Sequence, residues 1–386
     1  MFLLVLALTL GRVGGAEPKA MATPPMLFVS PSGSDARGCT QAAPCKSFDR
    51  AYALARPRTI VVVARGAYGN QLIQARDRPA LPKIVFRPAS GATVTVAQLL
   101  IRGSHVEFRD MTLSDVDMPR DTTDVTFRNI RNHGFFLQGS SNISFIGGEI
   151  SCGVCDYHSH LDDGGPPDYR PPRNILFDGV YFHDWQPAMA DQHMECLQIL
   201  AGDGITIRNS VFKDCATADN GRGATADLHI SWLGNGPKTR DILVENNFFY
   251  PSGNTYAIQA NDYANLDIRY NSISGPIIVF GGFGDGTTPV ELVGNIMRLG
   301  DCQAPHTGSG PVAPFSYRYN VIQGGTCGDT DINAPSGFID PNGNLHLRRL
   351  AAAVNRGDPG SYPKRDIDGE KRPKGGRPDA GADEAR

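Results

Sequence analysis

One short pattern recurs along most of the chain and leaves few folds open to it. Each copy reads apolar, x, apolar, x, then a polar residue or glycine, then an apolar residue. Val106-Glu107-Phe108-Arg109-Asp110-Met111 and Val125-Thr126-Phe127-Arg128-Asn129-Ile130 are two examples. Further copies start at Ile143, Ile175, Ile205, Ile242, Leu266, Val290 and Phe315. Alternation of period two makes each copy a strand with one buried face. The last four copies place asparagine at one internal position, Asn247, Asn271, Asn295 and Asn320, at spacings of 24, 24 and 25 residues. Asparagine tolerates the left-handed turn conformation, and its amide can bond the local backbone or the next coil's asparagine. The register therefore predicts an asparagine ladder along one corner of a stack. A second strand precedes each copy: Phe136-Leu137-Gln138, Cys196-Leu197-Gln198, Asp227-Leu228-His229, Ala257-Ile258-Gln259 and Ile278-Val279-Phe280. The aliphatic middle residue of each points inward and its flanks outward. Strand, tight turn, strand and loop within about 20–25 residues, with no helix between strands, describes a β-solenoid.

Composition agrees. The 386 residues include 44 Gly and 28 Pro, with 40% apolar and only 20% charged residues. The glycine has no third-residue period, which excludes collagen, and long helical bundles need far more Ala, Leu, Glu and Lys. A net charge of −3 offers no overall basic field for nucleic acid. Length alone would suggest two or three domains, but a stack of coils is one.

The apolar run Phe2 to Leu10, closed by Gly14, Gly15 and Ala16, is too short to span a bilayer. It reads as a secretory signal, residues 1–16, so the mature chain is expected to be exported and not held in a membrane. Eight cysteines then become candidate disulfides. Cys39 and Cys45 bracket a short Pro-containing loop, and Cys302 and Cys327 sit one repeat apart. Cys196 and Cys215 lie on neighbouring turns, and Cys152 and Cys155 form a close couple, but sequence does not fix the connectivity of these four.

Two terminal segments carry a family likeness. Val29-Ser30-Pro31-Ser32-Gly33-Ser34-Asp35, Pro44-Cys45-Lys46-Ser47-Phe48 and the strand from Thr59 to Tyr68 open the chain. Asp366-Ile367-Asp368-Gly369, Arg372-Pro373, Gly375-Gly376 and Gly381-Ala382-Asp383-Glu384 close it. With the repeats between, this resembles the right-handed parallel β-helix proteins of the pectate-lyase-like superfamily. The resemblance implies an all-β, single-domain right-handed parallel β-helix over residues 26–356, with an N-terminal helical cap near 44–56. Ser47 is the expected N-cap, and Phe48, Ala51, Tyr52, Leu54 and Ala55 form the apolar face of that helix. Residues 357–386 are expected to be a loosely packed tail.

The three longest intervals between copies are consecutive, from Ile143 to Ile242. Their extra residues, near 151–173, 183–194 and 216–240, must leave adjacent coils side by side and wall one face, where binding sites collect. Five of the nine histidines lie there, His158, His160, His183, His193 and His229. Outward Gln138, Gln198, His229 and Gln259 would stack at roughly 4.8 Å intervals, a row suited to a linear ligand with repeated hydroxyls. His160 and Trp232 join them as substrate-binding candidates.

An exported β-helix with a polar groove suggests a polysaccharide, and for an acidic glycan the matching reaction is β-elimination. That needs a cation on the carboxylate, a base for the C5 proton and an acid for the leaving oxygen. His229 is the leading base, with Asp227 two residues earlier on its face to orient it. His193 and Glu195 lie one coil away, although Glu195 has the parity of inward Leu197. Lys213 and Arg222 are candidate cations. Asp162, Asp163 and Asp191, with Asp203 and Asp214 nearby, could supply oxygen ligands to Ca²⁺. Cys152-x-x-Cys155-x-x-His158-x-His160 has a superficial zinc spacing, but in an exported chain these cysteines are better read as disulfide-forming.

Other functions remain open at this point. A hydrolase would need two carboxyls, but the paired-aspartate and Gly-His-Gly signature of β-helix polygalacturonases is missing. An epimerase would share C5 abstraction, and Asp191-x-His193-x-Glu195 faintly resembles that class. A non-catalytic carbohydrate-binding β-helix would use aromatic platforms such as Trp185, Trp232, Tyr157, Tyr169 and Tyr263. The chain is taken as a monomer.

Overall fold

The structure is a computed structural model that describes residues 23–77, 82–155, 159–187, 194–215, 226–232, 236–237, 239–251, 256–261, 263–279, 290–298 and 315–386. Nearly all strands join one sheet whose pairings are parallel, each strand bonding its counterpart in the coil below and above. The chain is a parallel β-helix with three faces per coil. In one coil, Asp203–Arg208 forms the first face, Val211–Lys213 the second and Ala226–Ile230 the third.

The repeat seen in the sequence is the first face. Val106 pairs with Val125, Val125 with Ile143, and the column continues through Ile175, Ile205, Ile242, Leu266, Val290 and Phe315 without a slip. Side chains two residues further along point the same way and stack inside. Phe86, Phe108, Phe127, Phe145 and Phe177 form a file with ring centroids 4.7 to 5.8 Å apart. Phe182, Phe212 and Phe249 make a second file beneath the second face. Successive rings meet in the offset geometry that aromatic quadrupoles favour.

The asparagine ladder stands at the corner between the first and second faces. Oδ1 of Asn271 accepts from both N and Nδ2 of Asn247, each at 3.0 Å, and Asn295 serves Asn271 in the same way. Asn320 serves Asn295, Asp331 closes the far end, and Ser210 donates its N–H to Asn247 at the near end. Each amide also donates to a backbone carbonyl, Asn247 to Ile207 and Asn271 to Val244. One expectation shifts by a residue. The left-handed conformation belongs to the residue before each ladder asparagine, namely Asn246, Tyr270, Gly294 and Tyr319, with φ of 53 to 65°. The ladder asparagines are chosen for their amides rather than for backbone tolerance.

The N-terminal end is closed by the helix Phe48–Leu54, whose N-cap Ser47 accepts from the Arg50 N–H. Phe48, Ala51 and Tyr52 are buried, and Phe48 lies 5.2 Å from Phe86, the first ring of the file. Leu54, expected on that buried face, is exposed. The helix is under two turns long, and position 54 has rotated off the contact surface.

The tail departs from expectation. It is packed, not loose: Asp366, Arg372, Asp379, Ala380, Ala382, Asp383 and Glu384 are buried. Ala380 and Ala382 cover Phe248, Ile296 and Val321, outward residues of the second face. Gly381 donates to the Gly294 carbonyl and Ala382 to the Ser272 hydroxyl. The guanidinium of Arg372 sits over the Tyr270 ring and 3.6 Å from Glu384. Apolar residues on both parities of the second-face strands are what made room for this cover.

The expected Cys39–Cys45 disulfide is present, and the structure pairs Cys196 with Cys215, a connectivity the sequence left open. Cys152 and Cys327 are also disulfide-bonded. Cys302 and the 1–16 segment lie outside the described residues. Among the described residues no helix is long and apolar enough to cross a membrane.

Candidate functional site

The third face carries the polar row, in a register that corrects the sequence reading. Phe136 pairs with His160, His160 with Gln198, Gln198 with His229 and His229 with Gln259. Gln138 instead pairs with Asp162, one pleat further along, so it leaves the row and His160 takes its place. The slip arises because Phe135-Phe136-Leu137 is apolar at every position and offers no alternation to read. The last triplet also moves: Gln259 pairs with Ile278 rather than with residue 280. Four coils, from His160 to Gln259, thus present a polar column about 14 Å long.

His229 stands in the middle of this column, with 18% of its side chain exposed. Its Nδ1 lies 3.7 Å from Oε1 of Glu195 and its Nε2 lies 3.3 Å from Oδ1 of Asn261. Glu195 is buried, the outcome its inward parity implied, yet it reaches the imidazole from the preceding coil. Asn261 is held in turn, donating Nδ2 to the Ser231 hydroxyl at 3.0 Å. An amide oxygen only accepts, so the contact with Asn261 Oδ1 is made by the Nε2–H tautomer, whereas the tautomer with its proton on Nδ1, toward Glu195, leaves the Nε2 lone pair to the groove. Sequence reasoning passed over Asn261 and Ser231, although the alternations Gln259-x-Asn261 and His229-x-Ser231 already placed both outward.

Asp227 does not orient His229. It has the predicted parity, but it is fully buried, and both carboxylate oxygens lack a hydrogen-bond partner among the described residues. Stepping the parallel register back one residue from the Leu197–Leu228 pair puts it beside Cys196, whose disulfide to Cys215 ties the second face to the third. Burial pushes the Asp227 carboxyl well above the usual range, and the Asp214 charge adds to the rise. Side chains two apart on one strand stand nearly 7 Å apart at the backbone, which leaves Asp227 and His229 in separate environments.

Asp162 and Asp163 flank the groove near its His160 end. Asp162 shares the column of Ser231 and Asn261, and its Oδ1 accepts from the Gly164 N–H at 2.5 Å. Burial raises its carboxyl, opposed by that N–H. Asp163 is buried and accepts from the Gly165 N–H. Both carboxylates thus cap their own loop, which Arg120 fastens through the Gly164 and Gly165 carbonyls. They do not form a three-ligand cluster among the described residues. Asp191, the third calcium candidate, lies outside the described residues, as do His193, Arg222, His158 and Tyr157.

Lys213 belongs to another face. It pairs in register with His183 and Tyr250 on the second face, with Nζ 5.9 Å from the centroid of the Tyr250 ring. Trp185 and Tyr263, offered as aromatic platforms, are core residues. Trp232 lies two residues past the end of the His229 strand and is half-buried, and Tyr169 is half-buried on the neighbouring loop. Phe136, not singled out in the sequence, meets the His160 ring edge-on at 4.1 Å and ends the column with an aromatic surface. Two further acids extend the face toward the N-terminus. Asp117 accepts from Gln98 at 3.0 Å, and burial together with Asp117 raises the carboxyl of Asp115.

The fold has a counterpart among solved structures. A crystal structure of pectate lyase Pel9A matches with a TM-score of 0.53 at 13% identity, covering 95% of this chain and 98% of that one. A rhamnogalacturonan lyase gives 0.42 at 10% identity over 90% and 95% of the two chains. The PL6 family alginate lyase AlyGC gives 0.37 at 14% identity over 81% and 50%. No protein-family model matches the sequence, and no curated protein matches it.

Proposed function

The chain has the parallel β-helix fold of the pectate-lyase-like superfamily, and from that premise we propose that it is an exported lyase that cleaves an acidic polysaccharide by β-elimination on the third face. The observation that carries this reading is the His229 constellation: a half-buried imidazole between Glu195 and Asn261, at the centre of an open polar column. A uronic-acid chain lying along the column would meet Gln198 and Gln259 on either side of the imidazole. His229 takes the C5 proton through Nε2. Glu195 is a positioning residue, holding the Nδ1 proton so that the lone pair faces the groove. The electrons left at C5 then expel the oxygen at C4, which takes up the proton now held by His229 or one from water, giving an unsaturated uronate end and a free hydroxyl. The carboxylate must be neutralised for the proton to leave, a task for Arg222 or for Ca²⁺ bound with help from Asp162, Asp163 and Asp191. The likeness of the fold to a pectate lyase supports an acidic-glycan substrate. The disulfides support export.

The test is a panel of uronic and neutral polysaccharides assayed for unsaturated ends and for reducing ends, with and without chelator. Growth of unsaturated product that His229→Ala abolishes and Glu195→Gln moves along the pH axis supports the reading. Glycan binding with no product of either kind would leave a binding protein instead. A hydrolytic reading has one observation behind it, the Asp115–Asp117 pair, in which one carboxyl is raised by burial and by its neighbour. It predicts reducing ends without unsaturation, lost in Asp115→Asn and kept in His229→Ala.

A further inference from the structure

The closing tail meets the last hairpin at a cluster that the proposed reaction does not use. His346 lies on the hairpin strand Asn344–Leu347, and Asp368 and Asp383 come from the tail. One ligand-type atom from each of the three lies within 4.8 Å of the others. Among the described residues this is the only group of three or more His, Cys, Asp or Glu side chains so arranged.

Two features set it apart from an ordinary ion-pair network. Asp383 is 2% exposed; its Oδ2 accepts from the Leu347 N–H at 2.7 Å, but its Oδ1 is buried with no hydrogen-bond partner. A buried carboxylate oxygen with no donor carries a desolvation cost that a cation would remove. The second is the imidazole of His346. Its Nδ1 lies 2.6 Å from Asn344 Oδ1, an atom that also accepts from the His346 N–H, so Nδ1 carries the proton. In the neutral ring Nε2 is then a lone pair, and it faces Asp368 Oδ2 at 3.1 Å, acceptor against acceptor. The ring is pinned further by Phe248, which it meets edge-on at 5.1 Å. An imidazole whose remote nitrogen donates to a fixed oxygen while the near one faces carboxylates is the usual arrangement around a metal ion. The nearby cations are attached to other oxygens or stand at the rim. Arg386 donates to Asp368 Oδ2 with its side chain 70% exposed, and Lys374 pairs with Glu370.

We propose that His346 Nε2, Asp368 and Asp383 bind a divalent transition cation of the zinc type, with water completing the shell. One imidazole nitrogen and two carboxylates match the borderline preference of Zn²⁺ or Mn²⁺ better than the all-oxygen set that Ca²⁺ takes. The ion fastens the tail to the last hairpin, and so holds Ala380 and Ala382 over Phe248, Ile296 and Val321. The site is separate from the third-face groove, so its fate and that of the lyase reading are independent.

The experiment is calorimetric titration of chelator-treated, dialysed full chain with ZnCl₂, and separately with CaCl₂, followed by thermal melts. The expected result is one equivalent of Zn²⁺ bound and a Tm rise of roughly 3–5 °C at a hundredfold excess over Kd. Both effects should be lost in His346→Gln and in Asp368→Asn and retained in Asp121→Asn, an exposed carboxylate with no part in either site. Asp368 is exposed, so its variant keeps the fold if burial of Asp383 makes other substitutions disruptive, and far-UV circular dichroism checks each variant. Absence of Zn²⁺ binding by the wild type overturns the proposal. So does Zn²⁺ binding that is unchanged in folded His346→Gln.

Discussion

Asn271→Ala removes the middle rung of the asparagine ladder, and its cost can be worked bond by bond. Asn271 Oδ1 accepts two hydrogen bonds from Asn247, and its Nδ2 gives one to the Val244 carbonyl and one to Asn295. After truncation the Asn247 backbone N–H and one Nδ2 proton are left without acceptors in a region closed to water, since Asn247, Asn271 and Asn295 are all fully buried. Asn295 Oδ1 keeps the Asn271 backbone N–H, so it is not orphaned. Two buried orphan donors at about 1–3 kcal/mol each, less what local relaxation recovers, predict a loss of about 3–5 kcal/mol. For a chain of this size that corresponds to a Tm lower by about 4–6 °C. Urea unfolding followed by circular dichroism reads the total, and hydrogen exchange at the Asn247 amide reads the local opening. The double variant Asn271→Ala, Asn295→Ala should cost less than the sum of the singles, because the two residues share a bond. A loss below about 0.5 kcal/mol, the range of ordinary surface substitutions, would refute the ladder as a stabilising device.

Two other outcomes are expected. Asp227 has its carboxyl raised by burial, so the stability tied to its protonated form is fully present below the unfolded carboxylate value, about pH 4, and is lost as pH rises toward the folded value. Asp227→Asn does not titrate, so its stability relative to wild type should grow with pH above about 4, and a difference that stays flat in urea midpoints across that range would count against the assignment. Replacing Cys196 and Cys215 together by Ala opens a loop with sequence separation 19 and should cost about 3 kcal/mol, read by denaturation under non-reducing conditions; a cost near zero would mean that the bridge is not what ties the two faces together.

The first face was legible because its signal is local: one side of each strand is buried in every coil but the last, where Phe315 and Tyr317 are half-buried, and nine copies repeat the alternation without a slip. The third face was legible only in part. Leu197, Leu228 and Ile258 stack as read, but the loops between Gln138 and Gln198 vary in length, and a run such as Phe135-Phe136-Leu137 does not reveal its own register. Asp227 shows a different limit. Its parity was right, but burial there depends on the neighbouring disulfide and on strand ends meeting from another face, which no short window contains. The packed tail has no period of its own, yet its footprint was in the sequence. Phe248-Phe249, Ile296-Met297 and Val321-Ile322 are apolar at both parities, the mark of strands covered on two sides. The candidate site follows the same division: His229 came from alternation, whereas Glu195 reaches it from another coil and Asn261 needed the register to be seen.

The central claim is chemical, and the mass of the product tests it most directly. The full chain is incubated with a pectate- or alginate-type polyuronate, and the new non-reducing ends are examined by mass spectrometry beside the His229→Ala variant. The account predicts fragments one water lighter than hydrolysis would give, with ultraviolet absorbance from the unsaturated uronate, and a drop of about 10²–10⁴-fold in their rate of formation for His229→Ala. Fragments that carry the added water, or unsaturated fragments formed equally fast by the folded variant, would contradict it.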